Sequence, residues 1–121
     1  MDATLLTRGQ RMPPSLPRGV KTLIADVNDP GLGQEFERES FDAVVDWIAF
    51  TPADIERDLK LFRGRTKQFV FISSTSAYQK PPTHYLISES TPLADPYWEY
   101  ARNKIACEER LMRRIGRKIS R

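Results

Sequence analysis

A chain of 121 residues, 40% apolar and 29% charged, has the composition of a soluble globular protein and room for one modest domain. Its net charge of +3 is mild, no run approaches the length of a membrane-spanning helix, and the first residues lack the basic-then-apolar layout of a secretion signal. The single cysteine, Cys107, excludes an internal disulfide and cannot form a metal cluster by itself, and a reducing cytoplasm suits it best.

Taken in order, Thr4-Leu5-Leu6-Thr7 predicts a short strand running into Arg8-Gly9-Gln10 and a loop with Pro13, Pro14 and Pro17. Val20 to Ala25 predicts a second strand, ended by Asp26. Asp29-Pro30 then supplies a cap followed by proline, and Leu32 and Phe36 give a sparse apolar stripe for a short helix. Phe41 to Phe50 predicts a third strand, nearly continuously apolar, as when helices cover both faces of a parallel sheet. Thr51-Pro52-Ala53-Asp54 reads as a capping box with Asp in the Glu position and Pro in the first turn. Ile55, Leu59 and Phe62 follow at helical spacing, and Gly64 ends that helix. Gln68 to Ile72 predicts a fourth strand that breaks into Ser73-Ser74-Thr75-Ser76. A loop rich in proline leads to Asp95 as a cap, Pro96 at the first helical position, and a last helix with Ala101, Ile105, Met112 and Ile115 as its inward stripe.

Strands separated by helical stretches point to a doubly wound α/β sheet, in which ligands bind beyond the carboxyl ends of the strands. Arg8, Asp26, Ala49 to Thr51 and Ser73 to Ser76 all fall at such ends. On the last helix Tyr100 and Lys104 are four residues apart, so they project from one face at neighbouring positions. A phenol beside an ammonium is chemically useful: the positive charge favours phenolate, and the pair can pass a proton to or from a hydroxyl or carbonyl.

Other residues read as structural. Asp42 and Asp46 alternate with apolar neighbours and share a strand face without an obvious catalytic partner. His84 falls in an exposed loop, and Trp47 and Trp98 suit a core or crevice wall. Arg113, Arg114, Arg117, Lys118 and Arg121 crowd the C-terminal end. Cations there suit the helix dipole, and a nucleic-acid interface is the alternative.

The run Phe71-Ile72-Ser73-Ser74-Thr75-Ser76-Ala77-Tyr78, then Glu89, Pro92 and Pro96, then Tyr100 and Lys104, resembles the extended short-chain dehydrogenase/reductase family, also called the NAD-dependent epimerase/dehydratase family. The likeness spans nearly the whole chain from the family's second strand onward. The Arg8-Gly9-Gln10 turn and the run Phe62-Arg63-Gly64-Arg65-Thr66-Lys67-Gln68 resemble a subgroup that includes plant chloroplast stem-loop-binding proteins. The resemblance implies Ser74 as the serine that hydrogen-bonds the reacting oxygen, Ser76 as a secondary substrate contact, and Tyr100 as the general acid/base. It implies Lys104 as the residue that assists Tyr100 and binds the nicotinamide ribose. Asp26 with Val27 would approach the adenine, and Ile48, Ala49 and Phe50 would form the backbone stretch passing the cofactor. Arg8 stands where the family more often has an acid holding the ribose 2′-hydroxyl. Its fork suits a 2′-phosphate, so of NAD and NADP the latter is slightly favoured.

The family's opening strand and Gly-x-x-Gly-x-x-Gly turn, which cradle the coenzyme's diphosphate, are not among these residues. The expected fold is therefore α/β, a partial Rossmann-like doubly wound parallel sheet lacking its first, central strand and its C-terminal strands. It would form one incomplete NAD(P)-binding domain over 1–121, with a basic, frayed tail over 113–121. Without the central strand, two strand pairs remain with unpaired backbone between them. Either the neighbours collapse together or another chain fills the place. The chain then reads as a fragment of an oxidoreductase or epimerase acting on a hydroxyl- or carbonyl-bearing small molecule such as a nucleotide sugar, and inactive alone. An RNA-binding module using the basic end, or an interaction fragment completing a sheet with a partner chain or a second copy, are the alternatives.

Overall fold

The computed structural model describes residues 2–11 and 14–119, with side chains as far as Arg114. Pro13 of the first loop and the side chain of Ile115 on the expected stripe lie outside the described residues. The chain divides into two compact units, Met1–Ser40 and Phe41–Arg121.

In the first unit β1 (Ala3–Thr7) and β2 (Val20–Ile24) pair in parallel, Ala3 opposite Val20 through Thr7 opposite Ile24. Beyond β1 the chain turns at Gly9, whose φ of +75° suits glycine. A Cβ there would also lie 3.2 Å from Cγ2 of Ile24. After β2, Asp29 Oδ1 accepts the Gly31 N–H at 2.8 Å, and a single helical turn, α1 (Leu32–Glu35), buries Leu32 and Phe36.

In the second unit β3 (Phe41–Asp46) and β4 (Thr66–Phe71) pair in parallel, with Phe41 opposite Thr66 and Asp46 opposite Phe71. Between them in sequence runs α2 (Pro52–Phe62), and a 3-10 turn at Thr75–Ala77 precedes the long α3 (Glu99–Ile119). α3 packs against α2 and against the 3-10 turn. The architecture is a mixed α/β chain in which, among the described residues, strands pair only two by two and no closed sheet forms. The parallel pairing within each sheet follows the expected one.

Two boundaries differ from the sequence expectation, each for a visible reason. The third strand ends at Asp46, not Phe50, because Asp46 Oδ1 accepts the N–H groups of Ile48 and Ala49 at 3.0 Å each. An aspartate that bonds the backbone just ahead of it bends the chain out of the ladder. The last helix starts at Glu99, not Pro96. Asp95 Oδ1 takes the N–H groups of Tyr97 (2.9 Å) and Trp98 (3.3 Å), and the helical ladder begins with Arg102 N bonding Trp98 O at 3.1 Å. By contrast α2 starts where the capping box places it. Thr51 Oγ1 accepts from Asp54 N at 3.3 Å, and Asp54 Oδ2 accepts from Thr51 N at 2.9 Å.

The core of the second unit is Ala49, Ile55 and Cys107, with Leu59, Phe71 and Leu111 packed on it. Burial pushes the Cys107 thiol up to about 11, which fits an inert core residue. The buried stripe of α3 runs through Ala101, Lys104 and Cys107. Met112, expected inward, is 67% exposed, and Trp47 is 68% exposed rather than part of a core or wall. Among the described residues no helix is long and apolar enough to cross a membrane.

Thr51→Ala removes the side-chain half of the α2 cap. Its expected cost is about 1 kcal/mol of unfolding free energy, read as a lower urea midpoint with an unchanged slope.

Candidate functional site

α3 presents Tyr100 and Lys104 one turn apart. Lys104 is 2% exposed. Its Nζ donates to the carbonyl of Ala49 at 2.8 Å and to that of Ile72 at 2.9 Å. Around the ammonium lie the rings of Phe71, Phe50 and Tyr100, with centroids at 4.6, 5.0 and 5.8 Å. Among the described residues no carboxylate is within ion-pair distance of it. Carbonyl dipoles and ring faces therefore do the work that a counter-ion usually does.

Tyr100 is half-buried. Its ring sits between Trp98, 4.9 Å away at 40°, and Phe50, 5.9 Å away at 51°. The serine-rich end of β4 is fastened to α3 at two points one turn apart. Lys104 holds Ile72 O, and the Ser73 hydroxyl donates to Glu108. Ser74 and Ser76 follow, their hydroxyls 2.8 Å apart, and Ser74 Oγ accepts the Ser76 N–H at 3.2 Å. The second unit thus assembles a phenol, a hydroxyl pair and a buried cation at the carboxyl ends of β3 and β4. Ile48 and Phe50 are exposed beside them, while Ala49 is fully buried with its carbonyl on Lys104.

Arg8, Asp26 and Val27 belong to the first unit. Arg8 is exposed just after β1, and Val27 is half-buried. Asp26 Oδ1 accepts from Asn28 N at 2.8 Å and Asn28 Nδ2 at 3.1 Å, so this carboxylate shapes its own turn.

The remaining candidates take structural places. Asp42 pairs with Lys67 at 2.6 Å on the surface, whereas Asp46 is 6% exposed, so the two do not act together. His84 Nδ1 accepts from Leu86 N at 3.2 Å, and its ring stacks on Tyr85 with centroids 4.6 Å apart. At the basic end Arg110 and Arg114 both bond Glu56 on α2, holding its carboxyl down at about 2. Arg113 meets Glu109 at 3.5 Å. The side chains of Arg117, Lys118 and Arg121 lie outside the described residues. One cavity of about 370 Å³ lies between α2 and α3, lined by Pro52, Ala53, Glu56, Ala106 and Arg110 among others. Another of about 240 Å³ lies in the loop from Pro82 to Pro92. Neither is lined by Tyr100 or Lys104.

A dinucleotide diphosphate needs free N–H groups at a helix start. Each of the three α-helices described here has an aspartate in that position. Asp29 bonds Gly31 N ahead of α1, Asp54 bonds Phe50 N and Thr51 N at α2, and Asp95 bonds Tyr97 N and Trp98 N ahead of α3. A carboxylate at the start of a helix repels a phosphate. Lys104 also spends two of its three N–H donors on backbone carbonyls. Among the described residues, the carboxylates at the helix starts do not fit the diphosphate of NAD or NADP.

Compared with protein-family models, with curated proteins and with solved structures, the chain gives no match.

Two contributors escaped the sequence reading. Asp58 is 2% exposed on α2, and its position three residues after Ile55 already places it on the inward face. Glu108, four after Lys104, shares that residue's side of α3 in the same way and so reaches Ser73.

Lys104→Ala leaves the Ala49 and Ile72 carbonyls without their donor. Its expected cost is about 2–5 kcal/mol, whereas Tyr100→Phe costs less than about 1 kcal/mol. Urea unfolding of both variants measures the contrast, and a neutral Lys104→Ala would remove the clasp from the account.

Proposed function

We propose that the second unit is the proton-transfer part of an NAD(P)-dependent epimerase/dehydratase or reductase of the extended short-chain dehydrogenase/reductase kind, on a partial Rossmann-like sheet. The observation that supports this best is the Lys104 clasp. It gathers the ends of β3 and β4 one helical turn from Tyr100, with the Ser74–Ser76 hydroxyl pair following Ile72. In this reading Ser74 donates a hydrogen bond to the substrate's hydroxyl or carbonyl oxygen, and Ser76 supports it. Tyr100 gives or takes the proton at that oxygen, and Lys104 supplies the fixed positive charge beside the phenol. The substrate class is a hydroxyl- or carbonyl-bearing small molecule such as a nucleotide sugar. The compartment is a reducing one, the cytoplasm, in keeping with the unpaired, buried Cys107.

The 121 residues do not hold a dinucleotide by themselves, because aspartates occupy the helix starts. Purified chain is expected to show no saturable NADH or NADPH binding below about 1 mM and no turnover. Appending an N-terminal strand and glycine-rich turn of the family type is expected to confer both. Tyr100→Phe in that extended chain should then lower turnover by about 10²–10⁴. Turnover indifferent to Tyr100→Phe would overturn the assignment.

A second reading, an interaction fragment, draws support from the two-stranded sheets, which present backbone edges that another strand can join. The RNA-binding reading loses support, because Arg110, Arg113 and Arg114 are each matched by a carboxylate. Sedimentation separates the interaction reading from the first: a partner or second copy on the sheet gives an assembled species, and a folded monomer does not.

A further inference from the structure

The last residue of β3, Asp46, is buried with Oδ1 saturated by the Ile48 and Ala49 N–H groups. Its Oδ2 is buried as well and has no donor among the described residues. The buried Asp46 carboxyl is also in hydrogen-bonding contact with another carboxyl, that of Asp58 on α2. Asp58 in turn accepts from Arg57 Nε at 2.8 Å and Arg57 Nη2 at 2.9 Å. Ionised carboxylates only accept hydrogen bonds, so two of them in buried contact need a proton between them.

We infer that Asp46 and Asp58 share one proton, and that this acid–carboxylate bond is a pH-sensitive latch on the turn over residues 47–50. The geometry gives the latch its reach. Asp46 holds the turn by two N–H groups. The same turn delivers the Ala49 carbonyl to Lys104 and the Phe50 ring to Tyr100. When the proton leaves, two carboxylates face each other beneath the turn, and the repulsion is relieved by moving it. The inference stands whether or not Tyr100 transfers protons.

The neighbouring charges come from α2 and α3. α2 contributes Asp54 and Arg57, with Arg57 Nη1 on Asp54 Oδ1 at 3.0 Å. α3 contributes Lys104, Cys107 and Glu108, and the field at Cys107 registers Lys104, Asp54, Asp46 and Glu108 together. Burial first and the Asp46 carboxyl beside it outweigh Arg57, which favours a charged Asp58, and together push the group up to about 6 from 3.8. An acid whose folded pKa is raised contributes stability that is full below the unfolded value. That stability falls as pH rises through the folded value and is flat above it. Two units correspond to roughly a hundredfold in the folding equilibrium constant.

Asp46→Asn tests this in the full chain, because its amide keeps an oxygen for the Ile48 and Ala49 N–H groups and offers a permanent N–H to Asp58. Relative to wild type, its folding constant is expected to rise roughly a hundredfold between pH 4 and pH 7; parallel profiles would overturn the shared proton. In a Trp47→Phe background Trp98 reports on the Tyr100 side. Its fluorescence is expected to titrate near pH 6 and to stay flat with Asp46→Asn. Carboxyl carbon shifts in the unsubstituted chain need no variant. Titration of the Asp58 carboxyl near pH 6 supports the pair, and an ordinary Asp58 midpoint near pH 4 overturns it. An Asp58 carboxyl that titrates near pH 6 while Trp98 stays silent would overturn the latch.

Discussion

The second unit depends on the burial of one ammonium. Withdrawing Lys104 from water costs several kcal/mol, and the structure offsets this with two carbonyl acceptors and three ring faces. The carbonyls come from different strand ends, Ala49 after β3 and Ile72 after β4, so the same bonds tie the sheet to α3. A two-stranded sheet is marginal unless it packs on something else. Here α3 supplies the packing through Ala101, Cys107 and Leu111, and Lys104 fixes its register. An ammonium engaged in this way influences Tyr100 as a fixed charge and a spacer, with one N–H left for anything else.

Electrostatics at the helix starts narrows what such a site can do. A helix N-terminus attracts anions, and in this chain Asp29, Asp54 and Asp95 are those anions. Each stabilises its own turn, and each removes a place where a phosphate would bind. The proposed proton transfer at Tyr100 and the carboxylates at the helix starts therefore belong to one picture, in which the chain acts on an oxygen–hydrogen bond and grips a diphosphate poorly.

Where local chemistry decides structure, the sequence was readable. Thr51-Pro52-Ala53-Asp54 announced its capping box, Gly64 ended α2 with φ at +73°, and the strand cores fell where β-branched and aromatic residues cluster. Failures came where a polar side chain behaves against type. Asp46 looked like an alternating strand residue and instead bends the chain. Asp95 caps, but the helix waits three residues because its carboxylate first closes an irregular turn. The stripe of α3 was read from apolar residues alone, which put Met112 inside and missed the burial of Lys104 and the reach of Glu108. Asp58 was passed over for the same reason, since a carboxylate on an inward face is expensive unless something shares its charge. The division at Ser40 has no local signature, because it reflects which strands find partners rather than any single residue.

The segment from Ile48 to Thr51 shows how a site can be held without a full sheet behind it. Ile48 N and Ala49 N are bound by Asp46, Phe50 N and Thr51 N by Asp54, and Ala49 O by Lys104. Each of these five backbone groups is satisfied by a charged or acid side chain, where a longer strand would have used a neighbour's ladder. Charge-assisted bonds of this kind are stronger than ladder bonds, so the loop is fixed although β3 has a single partner. The same substitution makes the loop respond to protonation, which a backbone ladder does not. Rigidity at the strand end and sensitivity to pH are then two consequences of one choice of side chains.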